Sequence, residues 1–336
     1  MDSVHCGPAV VGIDAWQDVK VVGTGDRSDA DEESLWNECA FIDRGVPEEP
    51  DHEHGIVRIR LRPKAVGVFV HVLKHTRSPM RILFVGDVVG RPGRRAVAEL
   101  LPKVRVDHRI DLCIVNGENA AGGAGLTGDI ARELRDAGAD VVTNGNHVWD
   151  QRQFKDEIGL LDFAIRPLNL PPSNPGRGWI VIKDALVVNA IGRVFMAAAD
   201  DPYRALDGLL DQLGASAPKV RLLDWHAEAT SEKLAMGWHL DGRFSAVVGT
   251  HTHVPTADAR VLPGGTALVA DAGMVGPRDS ILGMRTDIIL ERFRTGMPVR
   301  FQVAEGAVTF NSVVVEVDEA TGKASSVVRV DLLLDE

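Results

Sequence analysis

Aromatic residues are scarce in this chain of 336: they make up 5% of it, with a single tyrosine, Tyr203. An array of rings for stacking single-stranded nucleic acid is therefore disfavoured. Cysteine is sparse as well. Cys6, Cys39 and Cys113 are scattered and offer neither a disulfide framework nor a zinc-finger spacing, so a reducing, cytoplasmic setting is the expectation. No run of about 18 apolar residues occurs, and no membrane span is expected. The start, MDSVHCGPAVVG, has an acidic second residue and no basic region, which is not the pattern of a secretory signal. Positive charge is in deficit too. The formal net charge of -11 argues against a broad nucleic-acid-binding face. It leaves room for a small phosphorylated substrate, because bound metal ions can reverse the local field.

What is present is an ordinary globular balance, 45% hydrophobic and 25% charged, enough for one large domain or two small ones. Residues 1–79 read differently from the rest. GTGDRSDADEESLWNECAFIDRGVPEEPDHEHG is acidic and poorly periodic, and IVRIRLRPKAVGVFVHVLKH alternates enough for a strand or two. The expectation is an N-terminal extension over 1–79, poorly structured or an artefact of an over-long start, and one domain over 80–336. From Met80 onward strand and helix patterns alternate. Strands are expected at 81–86, 111–115, 140–144, 179–183, 185–191, 219–224, 244–249 and 266–271, and helices at 93–104, 127–138, 201–213 and 231–240. That alternation predicts an α/β layered fold. VTFNSVVVEVD and SSVVRVDLLL read as paired strands joined at EATGK, and RPLNLPPSNPGRG (166–178) as an exposed Pro/Gly loop.

Five polar clusters fall at the C-terminal ends of expected strands, the edge where ligands bind open α/β sheets. They are Asp87 in FVGD, Glu118 and Asn119 in IVNGEN, Asn146 and His147 in VTNGNH, His226 in LLDWHAE, and His251 and His253 in VVGTHTH. Each alone has a plainer explanation. Gly-Asp and Asn-Gly are turn formers, and a lone histidine after a strand is more often a hydrogen-bonded core or surface residue. His251 and His253 are stronger, since i and i+2 share a face in extended backbone. Together the clusters form a mixed nitrogen and oxygen donor set, about what two neighbouring metals sharing a bridge would take. The absence of cysteine ligands disfavours a structural zinc, and imidazole plus carboxylate suits iron, manganese or zinc. By contrast His108 and His239 read as structural. DHEH at 51–54 (His52, Glu53, His54) reads as a solvated acidic loop.

With these residues the sequence resembles the metallophosphoesterases (calcineurin-like phosphoesterases), and more closely their YmdB-like branch. GDVVG carries Val89 where the superfamily usually has histidine, and NGEN carries Glu118 where it usually has aspartate; both departures mark the branch. DWHAEATSEK (224–233), GTHTHVPTAD (249–258) and DAGMVGPRDSILG (271–283) match it too, over Met80 nearly to the C-terminus. The resemblance implies a layered metallophosphoesterase-like fold, central β-sheets flanked by helices, with the site at the C-terminal strand ends. It implies that Asp87, Glu118 and His253 hold one metal and that Glu118, Asn146, His226 and His251 hold the other. Asn119 would contact a metal or the substrate phosphate. Iron and/or manganese is the implied pair, ahead of zinc or magnesium. The implied reaction is phosphodiester hydrolysis, most naturally of 2′,3′-cyclic nucleotides, by a hydroxide bridging the metals with His147 as general acid.

Other readings remain open at this point. A phosphomonoesterase or nucleotidase could use the same metals, and Arg91 and Arg278 are the nearest candidates for a phosphate clamp, although each reads more naturally as a solvated surface residue. A non-catalytic regulator binding nucleotide or RNA is a second class, and an amide hydrolase a weaker third. A homo-oligomer is expected, RNA stays open as a partner, and no membrane is.

Overall fold

The computed structural model describes residues 56–60, 69–73 and 79–335, and the chain divides into two units, 1–78 and 79–336. In the first unit β1 (Ile56–Arg60) and β2 (Phe69–Leu73) pair antiparallel, Ile56 opposite Leu73, in the stretch expected to hold a strand or two. The DHEH tract, Cys6, Cys39 and most of the expected extension lie outside the described residues.

The second unit begins with β3 (Met80–Val85), the two-residue β4 (Asp87–Val88), α1 (Gly90–Asp107), β5 (Leu112–Asn116), α2 (Gly128–Asp136) and β6 (Val141–Thr143). A short helix α3 (Phe154–Glu157) and the pair β7 (Trp179–Ile182) and β8 (Ala185–Ile191) follow. Next come α4 (Pro202–Leu213), β9 (Val220–His226), α5 (Thr230–His239), β10 (Ala246–Thr250), β11 (Arg260–Val261) and β12 (Ala267–Val269). The last elements are β13 (Met274–Pro277), α6 (Thr286–Thr295), β14 (Val308–Phe310), β15 (Ser312–Asp318), β16 (Lys323–Arg329) and β17 (Leu332–Leu334). Every strand expected between 81 and 271 is present with ends shifted by at most two residues; α1 runs further than expected at both ends.

Two sheets carry the domain. One has the order β16-β15-β3-β5-β6, with β3, β5 and β6 parallel; the other has the order β11-β12-β10-β9-β8-β7, with β8, β9, β10 and β12 parallel. Side chains alternate across each strand, and both faces of the central strands are buried. Ile82 and Phe84 of β3 point into the layer between the sheets with Val187, Leu222 and Val248. Leu83 and Val85 point the other way, onto Val97 and Leu101 of α1 and Leu134 of α2. In the second sheet Leu186, Val188 and Trp225 face Leu206 and Leu209 of α4 and Met236 of α5. Strands covered on both faces read as unbroken apolar runs, which is how they read in the sequence. The result is a mixed α/β fold of helix, sheet, sheet and helix layers.

Local chemistry sets the joints. Lys183 and Asp184, with φ of 49° and 58°, make the two-residue turn between β7 and β8, the positive-φ geometry that suits strand twist. Asp201 caps α4 by accepting from the N–H groups of Tyr203 and Arg204, with Pro202 in the first turn. His108 ends α1 and His239 bonds Asp207 at 3.0 Å, both structural as expected. The tail needs refinement. VTFNSVVVEVD is two strands in two sheets, since β14 joins the four-stranded sheet β17-β14-β13-β4 while β15 joins β3. The switch falls at Asn311, whose amide bonds Asp331 (2.9 Å) at the matching break between β16 and β17. Phe84 lies in the layer where the two sheets meet, so Phe84→Ala should lower the free energy of unfolding by about 3–5 kcal/mol. Leu160→Ala, at a side chain 81% exposed, should change it by less than about 0.5 kcal/mol; urea unfolding monitored by circular dichroism measures both.

Candidate metal centre

Because the parallel strands of both sheets run toward the same edge, the residues that follow them collect there. Asp87 follows β3, Glu118 and Asn119 follow β5, Asn146 and His147 follow β6, His226 ends β9, and His251 and His253 follow β10. All eight candidates therefore sit on one edge, drawn from both sheets.

Four donors converge on one point. His226 Nε2 lies 3.0 Å from Glu118 Oε1, 3.0 Å from Asn146 Oδ1 and 3.0 Å from His251 Nδ1. Ligand atoms of Glu118, His226 and His251 all fall within 4.8 Å of one another. On the adjoining side Asp87 Oδ1 stands 3.9 Å from His253 Nε2 and 4.0 Å from His226 Nδ1. Asn119 Nδ2 joins the two halves, 3.3 Å from Glu118 Oε1 and 3.1 Å from His253 Nε2. The His147 backbone N–H donates to Glu118 Oε2 (3.3 Å), and its ring contacts Asp150 rather than the donor cluster.

Each imidazole is held from behind, which fixes the nitrogen it presents. The carbonyl of Leu282 can only accept, so His253 Nδ1 carries the proton (3.1 Å) and Nε2 keeps a lone pair for the centre. Thr250 Oγ1 donates to Asp224 Oδ1 (2.7 Å) and so accepts from His226 Nδ1 (2.9 Å), again leaving Nε2 inward. Glu228 holds His251 Nε2 at 3.2 Å, and Asp150 holds His147 Nδ1 at 2.8 Å. Asp224 also accepts from Asn116 (3.0 Å) and from the Thr143 hydroxyl, tying β9 to β5 and β6 beneath the site.

The electrostatics favour cations. Asp87, Glu118, Asp224 and Asp271 are all buried, and the one buried ammonium among them, Lys233, is engaged by Asp271 at 2.6 Å. Buried carboxylates in excess are costly unless paired or coordinating metal. Burial holds the Asp87 carboxyl well above the usual carboxylate range, with His226 opposing and Glu118 adding. Burial likewise lifts Asp224 to about 6 against the pull of His226. Burial would also raise Glu118, but the charge and hydrogen bond of His226 outweigh it and bring it to about 2. Burial would lower His226, but Glu118 and then Asp87 and Asp224 carry it up to about 9. Positive charge is thus strongly favoured where these groups meet. His251 goes the other way: burial and then the His226 charge take it to about 3, and burial lowers His253 despite the Leu282 carbonyl. Both therefore offer neutral nitrogen, the form that binds metal.

Two further observations fit a metal pair. Asp87 Oδ1 is buried with no hydrogen-bond partner, a cost that coordination would remove. At Gly145 an added Cβ would stand 2.0 Å from Glu118 Oε2 and 2.4 Å from His226 Nε2, so any side chain there would fill the space between the donors. His251 and His253 have φ of 98° and 64°, conformations that persist only when surroundings impose them. The buried Lys233–Asp271 pair does so: Lys233 donates to the Thr250 carbonyl (2.8 Å), and Asp271 accepts from the Thr252 amide (3.1 Å) and hydroxyl (2.8 Å).

Sequence reasoning missed this supporting layer. Asp224, Glu228 and Lys233 lie inside DWHAEATSEK and Asp271 begins DAGM, yet strand-end position singles out only the histidine in the former. Spacing carries no signal for Thr250 or Asp150. Arg278 spends its guanidinium on the adjacent Asp279 (3.1 Å) and Arg91 is exposed, in keeping with solvated roles.

The family model for YmdB-like proteins matches residues 83–330. A 2′,3′-cyclic-nucleotide 2′-phosphodiesterase of Bacillus subtilis (strain 168) is 49% identical over 255 residues, 75% of this chain and 96% of that protein. Among solved structures, a hypothetical protein from Thermus thermophilus is 44% identical with a TM-score of 0.71, covering 76% of this chain and 99% of its own. A structure from Mycoplasma pneumoniae described as a novel phosphatase is 32% identical with a TM-score of 0.72, covering 77% and 95%. With the strand-end residues in place and most of each relative spanned, this chain belongs to the YmdB-like family of metallophosphoesterases.

Proposed function

We propose that the chain is a metal-dependent phosphodiesterase whose substrates are 2′,3′-cyclic nucleotides. The observation that carries the reading is the convergence of Glu118, Asn146, His226 and His251 beside Asp87 and His253, in a chain 49% identical to a 2′,3′-cyclic-nucleotide 2′-phosphodiesterase. Asp87, Glu118 and His253 would hold one ion, and Glu118, Asn146, His226 and His251 the other. Bound there, the pair would supply Lewis-acid polarisation of the phosphoryl oxygens and a nucleophile at neutral pH. Iron and manganese are the pair proposed, consistent with a mixed set of three histidines and three oxygen donors.

The protein's own part is orientation and proton delivery. Asn119 Nδ2 spends its two N–H groups on Glu118 Oε1 and His253 Nε2; with metal bound at those two atoms, the amide would be released to steady a phosphoryl oxygen. Asp150 accepts a hydrogen bond from His147 Nδ1–H (2.8 Å), which leaves Nε2 as the nitrogen to face the leaving oxygen. The ring is 38% exposed, so it can also exchange protons with solvent. Imidazole is the side chain best suited to that task near neutral pH. A phosphomonoesterase reading is kept alongside, favoured by the relative described as a phosphatase; assaying a cyclic nucleotide beside a nucleoside monophosphate separates the two.

Elemental analysis of the purified protein should find about two metal equivalents, as a dinuclear site requires. Gly145→Ala and His251→Ala should each remove about one of them, and unchanged metal content would sink the ligand assignment. His147→Ala should retain its metals yet lose about 100- to 10,000-fold in turnover of a 2′,3′-cyclic nucleotide, whose alkoxide leaves poorly. On a p-nitrophenyl diester, whose leaving group needs no proton, the same variant should lose far less. Equal losses on both substrates would remove His147 from the general-acid role.

A further inference from the structure

One aromatic side chain at the rim of this centre has no place in the mechanism or the core. Ile191, the last residue of β8, pairs with His226, and the next residue, Gly192, donates its N–H to the His226 carbonyl (2.9 Å). Beyond it Glu232 of α5 grips the loop, one carboxylate oxygen accepting from the Arg193 amide (2.9 Å) and the other from that of Val194 (3.3 Å). The Met196 N–H returns to the Arg193 carbonyl (3.4 Å) and closes a tight turn. The third residue of that turn is Phe195, with φ of 62° and 89% of its surface exposed. Glycine or asparagine normally takes such a position. A bulky ring there is strained, and it stands in water rather than in a core.

Strain of this kind gathers at functional sites, and it does so here. Of the seven non-glycine residues with positive φ among the described residues, three belong to this centre, His251, His253 and Leu282, and a fourth, Phe195, lies on the loop leaving the strand beside His226. Phe195 lies three residues past Gly192, so its Cα is within roughly 11 Å of the backbone beside His226. The turn that bears the ring thus leaves the strand end beside His226, within a nucleoside's reach of the donor cluster. Within the turn it is flanked by the exposed Val194 and the part-buried Met196, and around them Arg193, Ala197 and Ala198 are exposed. Three side chains on one turn fall well short of the area a stable protein interface buries, and the ring is the most exposed of them. It makes a good face for one flat aromatic group.

We propose that Phe195 is the base-stacking residue of the substrate site, taking the nucleobase of a 2′,3′-cyclic nucleotide whose phosphate lies at the metal centre. The inference rests on the phosphodiesterase reading above. Every base has a π face, so the contact selects for the presence of a base more than for its identity.

The test compares two five-membered cyclic phosphodiesters, 2′,3′-cyclic AMP and glycerol 1,2-cyclic phosphate, which has no base. In Phe195→Ala the ratio of their kcat/KM values should fall about 5- to 150-fold, the loss expected from removing one stacked base. Most of the fall should lie in KM for the cyclic nucleotide. Phe195→Trp should keep the ratio, and Phe195→Gly, which suits the positive φ, should lose it as Phe195→Ala does, guarding against misfolding as the cause. Should the wild-type enzyme hydrolyse the glycerol ester and not the nucleotide, the substrate reading fails. Stacking is then read from inhibition of glycerol ester turnover by adenosine 2′-monophosphate relative to inorganic phosphate. An unchanged ratio in Phe195→Ala by whichever readout applies overturns the proposal. So does a drop in assembly mass by light scattering with no change in ratio, which would make Phe195 a contact between copies of the chain.

Discussion

Glu118 and His226 meet at 3.0 Å across the gap between two sheets, and much of the domain is arranged around that contact. Glu118 comes from the sheet of β3, β5 and β6, and His226 from the sheet of β8, β9, β10 and β12. Neither sheet alone can assemble the donor set. The buried layer of Phe84, Val187, Leu222 and Val248 fixes how the sheets face each other, so core packing sets the spacing of the chemistry. Any shift of one sheet against the other would open the cluster by as much.

Burying that contact creates a charge problem that the fold solves in layers. The carboxylates nearest the centre, Asp87 and Glu118, face the position where cations are favoured. Asp224, one layer down, is surrounded by the neutral donors Asn116, Thr143 and Thr250, and its role is to orient His226 through the Thr250 hydroxyl. Asp271 is matched with Lys233, and that pair holds the backbone between His251 and His253. Breaking a buried ion pair by removing one partner typically costs about 3–5 kcal/mol. The strained histidine loop is therefore secured by a strong constraint rather than by its own preference.

Much of this is legible in the chain because strands buried on both faces write continuous apolar runs, and the polar residue that interrupts each run marks the strand's end. Asp87, Glu118, Asn146, His226 and His251 are all found by that rule. The rule fails where a polar residue lies inside a strand. Asp224 is within β9, so it reads as an interruption without purpose until both sheets are in place. It fails also where a strand changes sheet: nothing in VTFNSVVVEVD marks Asn311 as a switch, because its partner Asp331 is twenty residues away. Phe195 escapes for a third reason. A turn with an aromatic residue at a glycine position has no pattern to match, and only its φ and exposure distinguish it.

The loops that follow the strands divide the work by how firmly they are held. Those carrying Glu118, His226 and His251 are tied on both sides, by the inward donors and by Asn116, Thr250 and Glu228 behind them. The His147 turn is tied less closely, through its backbone to Glu118 and its ring to a half-exposed Asp150. In the reading proposed above, metal ligands must not move, whereas a proton donor has to reach both a leaving group and solvent. The same edge therefore carries rigid and accessible residues side by side. Asn146 and His147 show the division within one turn: Gly145 lets the chain pass close enough for Asn146 to face His226 at 3.0 Å, and the ring of the next residue is held by Asp150 and part-exposed.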